Sequence, residues 1–81
     1  MLMSKDAKSA IELFNQSLRF APNFAPAYSY RAMARYILGD QRGAMDDFQK
    51  AANFFLEQGD MEDYQRTLNY IKDCENRQLT L

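Results

Sequence analysis

Displaced by thirty-four residues, this chain falls on itself: Asp6 meets Asp40, Lys8 meets Arg42, Ala10 meets Ala44, Ile11 meets Met45, Glu12 meets Asp46, Phe14 meets Phe48, Ser17 meets Ala51 and Phe20 meets Phe54. Small residues land on small ones and aromatics on aromatics, and a displacement of this length is a period of stacked helical units. Each such unit buries its apolar face only by packing on a neighbour. The pattern therefore predicts a repeat module whose work is contact with another polypeptide.

Punctuation and period divide the chain into four helices. Ser4 or Asp6 can cap the first, whose positions Ala7, Ala10, Ile11, Phe14, Ser17 and Leu18 recur at three and four residues as one inward stripe. It should end before Pro22, because proline disfavours helical geometry in the residue before it. Asn23 is then placed to cap a second helix, with Pro26 in the first turn, where a missing amide hydrogen costs little. Gly39 ends that helix after Leu38 in a left-handed conformation, and Asp40 is free to cap a third. The third carries Ala44, Met45, Phe48, Ala51, Ala52 and Phe55 on one side. Gly59-Asp60 repeats the punctuation twenty residues on, with Asp63 in the position of a capping-box partner. The fourth helix presents Met61, Tyr64, Leu68 and Ile71, and its polar tail from Asn76 predicts a frayed end. The fold expected is all-α, two consecutive antiparallel helical hairpins with short turns.

Composition removes most chemistry. With 81 residues there is room for one small domain, and a net charge of −1 with a pI near 5.2 offers no general attraction to nucleic acid or anionic membrane. There is no apolar run long enough for a membrane span and no leader pattern, so a cytoplasmic location is expected. Cys74 is the only cysteine and there is no histidine, which argues against an internal disulfide and a metal site and favours a reducing compartment. The adjacent carboxylates Asp46 and Asp47 diverge by about 100° on a helix and cannot converge on one atom. Cys74, near the expected frayed end and without a histidine to activate it, reads as a structural or incidental thiol. No catalytic residue, cofactor or metal is assigned, and no enzyme activity.

The run from Ala27 to Ala51 resembles a tetratricopeptide repeat. Tyr28 stands at the family's bulky aromatic position, Ala32, Ala44 and Ala51 at its small positions, Phe48 at its second aromatic and Gly39-Asp40 at its inter-helix turn. Ala10, Phe14, Ser17, Leu18 and Pro22-Asn23 look like the second helix and closing turn of a preceding repeat. The resemblance implies a short right-handed superhelix over residues 1–81: a partial first repeat at 4–21, a complete repeat at 24–57 and a C-terminal capping helix at 60–77. Such a chain could be a piece of a longer array, and Met1-Leu2-Met3 is consistent with a start placed before a truncated domain. Tyr64 replaces the small residue expected at the place of Ala44, so the last helix is read as a cap, or else as a docking surface for a partner helix.

The same resemblance implies a groove lined by the first helix of the repeat, holding a peptide segment of a partner protein. Carried over, its positions are Ser29, Tyr30, Met33, Tyr36 and Ile37, although the preceding helix could instead cover Tyr30 and Met33. The lysine and asparagine clamp by which some family members grip a terminal carboxylate is not matched here. Arg31 and Arg35 depart from the family pattern; they pair with Asp46, Asp47 or Glu12 across helices, or one of them meets a carboxylate of a bound peptide. The alternative function is self-association, a homodimer formed through an apolar face at Ala7, Ile11, Phe14 and Leu18 left open by a missing helical partner. RNA binding, known for related helical repeats, is poorly served by the acidic balance.

Overall fold

The first Gly-Asp pair closes one helix and opens the next. In the computed structural model, which describes residues 4–80, four helices follow in order. They are α1 Ser4–Phe20, α2 Ala25–Ile37, α3 Gln41–Glu57 and α4 Met61–Thr80, with no strand among the described residues. Met1-Leu2-Met3 lie outside those residues. Gly39 and Gly59 take φ of +87° and +78°, where a side chain would be strained. After α2 the Gly39 amide donates to the Tyr36 carbonyl and the Asp40 amide to the Arg35 carbonyl; after α3 the Gly59 and Asp60 amides do the same to Leu56 and Phe55. These paired bonds satisfy carbonyls that a helix end otherwise leaves open. The Asp40 side chain then accepts the Gly43 amide at 2.9 Å, capping α3.

Three local expectations are corrected. Asp6 lies inside the first turn of α1, where its charge suits the helix dipole, and is not its cap. Phe24, not Asn23, stands at the cap of α2, and it makes no side-chain capping bond. Pro26 removes one of the donors that such a bond would serve, and the Ala27 amide is taken by the Phe24 carbonyl at 3.1 Å. The capping box at Asp60 does not form, because the Asp60 amide is already committed to Phe55 and the Asp63 carboxylate turns to Arg66 at 3.5 Å.

Each helix packs on its chain neighbours, α1 on α2, α2 on α3 and α3 on α4. Alanines at the α2–α3 crossing allow the close approach: Ala32 and Ala44 are fully buried with Phe48 and Cys74, and Ala25 and Ala51 with Phe55. Aromatic rings fill the flanks. Phe48 stacks on Tyr70 of α4 at 5.4 Å between centroids, and Tyr28 on Phe54 of α3 at 5.5 Å. The Tyr28 hydroxyl donates to the Pro22 carbonyl, and Gln58 Nε2 donates to the Asn23 carbonyl, so the loop between α1 and α2 is tied both to α2 and to the end of α3. Replacing Ala44 by leucine is expected to cost about 1–3 kcal/mol by overpacking this crossing. A thermal melt that did not move in that variant would place Ala44 away from it.

The packed face of α4 differs from the expected stripe. Thr67 and Cys74 are buried, Tyr64, Leu68 and Ile71 are half-buried, and Met61 is exposed. Thr67 tolerates burial because its hydroxyl donates to the Asp63 carbonyl one turn back at 2.8 Å. The helix runs to Thr80, and no glycine or proline interrupts Arg77-Gln78-Leu79. Cys74 accordingly lies in the core and not at an end. No helix among the described residues is long and apolar enough to cross a membrane.

Candidate functional site

Helix α2 is apolar on more sides than its two neighbours in the chain can cover. Its alanines 25, 27, 32 and 34 are buried, while Tyr30, Met33 and Ile37, spaced three and four apart, form an exposed stripe, 55%, 38% and 44% accessible. Beside this stripe runs α4, and between the two helices lie two adjoining cavities. The larger, about 230 Å³, is lined by Met33, Tyr36 and Ile37 of α2, Phe48 of α3, and Tyr70, Asp73 and Cys74 of α4. The smaller, about 130 Å³, takes in Ser29, Tyr30 and Met33 with Asp63, Arg66, Thr67 and Tyr70. Met33 and Tyr70 wall both.

All five α2 positions carried over from the resemblance, Ser29, Tyr30, Met33, Tyr36 and Ile37, thus line one cavity or the other. The first helix touches Tyr30 through Phe14, ring centroids 5.8 Å apart, without covering it. The opposite wall was missed from sequence. Its signal was present: Asp63, Thr67, Tyr70 and Cys74 recur at four, three and four residues, a helical face hidden by its mixed polarity.

Arg31 and Arg35 leave α2 in another direction and line neither cavity. Both converge on Asp47 of α3. Arg31 Nε and Nη2 donate to the two carboxylate oxygens at 2.8 and 2.7 Å, Arg35 Nη1 donates at 3.0 Å, and Arg31 Nη1 reaches Asn15 of α1 at 2.7 Å. Asp47 is 1% accessible. The hydrogen bonds that Arg31 donates to Asp47 hold its guanidinium above its ordinary pKa, against the opposing effect of its burial. Arg31 also lies 5.5 Å over the Tyr28 ring. Of the three carboxylates considered from sequence, Asp47 alone receives the arginines, and Asp46 and Glu12 are exposed.

The apolar face expected to stand open on α1 does not. Ala7 and Leu18 are buried, and Ile11 and Phe14 are half-buried. The exposed apolar residues of α1 are Leu13 and Phe20, the latter 93% accessible. At the thirty-four-residue offset, Ala10, Ser17 and Phe20 correspond to Ala44, Ala51 and Phe54 of α3. Those three pack toward α2, Ala44 against Ala32, Ala51 against Ala25 and Phe54 on Tyr28.

Four helices with alanine crossings and a groove between alternate helices define a helical-repeat module, and comparison with known proteins gives the same class. Tetratricopeptide repeat protein 36 of Danio rerio is 40% identical over 48 residues, 59% of this chain and 26% of that protein. The protein of that name in Homo sapiens is 41% identical over 46 residues, 57% of this chain and 24% of its own. Protein FlbA of Caulobacter vibrioides is 46% identical over 46 residues, 57% of this chain and 8% of its own. The match thus spans about a quarter of the length of the first two relatives. No family model and no solved structure matches the chain. The chain is a relative of the tetratricopeptide repeat proteins.

Proposed function

We propose that this chain is a protein-interaction module of scaffold or adaptor type that holds a peptide segment of a partner protein in the groove between α2 and α4. The observation that carries this is the exposed stripe of Tyr30, Met33 and Ile37 opening onto two cavities that α4 completes. Tyrosine supplies rigid amphipathic area and methionine adapts to irregular apolar surfaces, both features of binding surfaces. The relation to tetratricopeptide repeat proteins supports a protein partner in preference to nucleic acid, and so does the net charge of −1. The single buried thiol suits a reducing, cytoplasmic setting.

Replacing Tyr36 and Ile37 together by alanine is expected to weaken peptide capture by about tenfold or more, since each large side chain contributes about 1–2 kcal/mol when buried by a ligand. Tyr36 also packs against the core, so Ile37→Asp, at a more open position, serves as the companion variant. Isothermal titration against a captured peptide would measure the change. Unaltered affinity in both variants would remove the groove from the reading.

A second reading is self-association through the far side of α1, favoured by the exposure of Leu13 and Phe20 at positions whose α3 counterparts adjoin α2. Loss of a dimer in Phe20→Ser, with the dimer retained in the Tyr36 and Ile37 double variant, would favour assembly over adaptor function.

A further inference from the structure

We propose that the α2–α4 groove selects a segment in which one bulky apolar side chain lies beside a lysine or arginine. This rests on the groove reading above and specifies its ligand. The larger cavity has about 230 Å³ and one ionisable carboxylate, Asp73, in its lining. An apolar cavity of about 150 Å³ is enough to hold a benzene ring, whereas pockets for drug-sized molecules start at about 300 Å³. The space therefore suits a single leucine or phenylalanine side chain better than a free metabolite.

The charge on the groove selects the neighbour. Asp73 is exposed and forms no ion pair with any described residue. Lys72 precedes it but diverges by about 100° on the helix and lines neither cavity. In the smaller cavity Arg66 is shared between Asp63 at 3.5 Å and Glu62 at 3.7 Å. The remaining nearby cations on α2, Arg31 and Arg35, are turned away and occupied by Asp47. Among the residues that line the two cavities, the carboxylates Asp63 and Asp73 outnumber the one cation, Arg66, and a basic group on the ligand complements that balance.

Fluorescence anisotropy with short labelled synthetic peptides tests this. Each peptide carries one central leucine or phenylalanine, with lysine, alanine or glutamate beside it in an alanine-serine host. The expected result is tighter binding of the lysine peptides, a rank reversed by about three- to tenfold in Asp73→Lys, and loss of all binding in Ile37→Asp. Circular dichroism melts of both variants confirm that they fold. Binding that depends on Ile37 but ranks lysine and glutamate peptides alike, unmoved by Asp73→Lys, overturns the selectivity and leaves the groove. Binding insensitive to Ile37→Asp overturns the groove itself. Self-association abolished equally by Phe20→Ser and by Ile37→Asp, with no peptide bound, assigns the cavity to a second copy and overturns the proposal.

Discussion

Asp47→Ala is expected to lower the melting temperature by about 12–40 °C, corresponding to a loss of about 3–5 kcal/mol. The carboxylate is almost fully buried and receives three bonds from two guanidinium groups on α2, one of which is also held by Asn15 of α1. Removing it strands Arg31, whose side chain is 13% accessible, with Asn15 and the Tyr28 ring as its remaining partners. A chain of this length has a total stability of about 4–12 kcal/mol, so the loss is a large fraction of the whole. Urea unfolding followed by circular dichroism measures the loss. A triple variant, Arg31→Met with Arg35→Met and Asp47→Leu, should recover most of it, because apolar groups of similar volume replace a buried ion cluster at little cost. Should Asp47→Ala unfold at the parental urea concentration, the three-helix tie contributes nothing and α1 is held by apolar contact alone.

Phe48→Ala is expected to cost about 3–5 kcal/mol through the cavity it leaves. The ring is buried between Ala32, Ala44 and Cys74, stacks on Tyr70 and forms part of the floor of the larger groove cavity. Its loss should act twice, lowering stability and enlarging the pocket. Equilibrium unfolding reads the first effect, and anisotropy at a temperature where the variant remains folded reads the second, as weakened capture of leucine peptides. A loss below about 1 kcal/mol would mean that Tyr70 and Cys74 collapse onto the site and that α4 is less firmly seated than its stacked rings imply.

What was legible in the sequence was local or periodic. Gly39-Asp40 and Gly59-Asp60 could be read as helix junctions because a positive φ and the return of two amides to the preceding turn are decided within about six residues. The burial of Ala32, Ala44, Phe48 and Ala51 could be read because helical period and the thirty-four-residue offset agree at those positions. The α2 side of the groove followed from family resemblance. Its α4 side did not, because Asp63 and Thr67 interrupt the apolar pattern that marks an inward face, and Thr67 is tolerated in the interior through a hydrogen bond to its own helix. The same rule misplaced the Asn23 cap: a proline and one backbone bond had already satisfied the amides it would have served.

By itself the sequence determined four helices, their junctions, the alanines at the crossing and the class of protein, since these depend on period, backbone conformation and side-chain size. Only the tertiary structure decided that Asp47, and neither Asp46 nor Glu12, receives both arginines, that the α1 stripe at Ala7, Ile11, Phe14 and Leu18 is turned inward, and that Tyr70, Asp73 and Cys74 face Met33 and Ile37 across a cavity. Adjacent residues on a helix point about 100° apart. Which of two neighbouring carboxylates meets a partner is therefore set by the rotation and offset of one helix on another, and those are properties of the packed assembly that no single segment encodes.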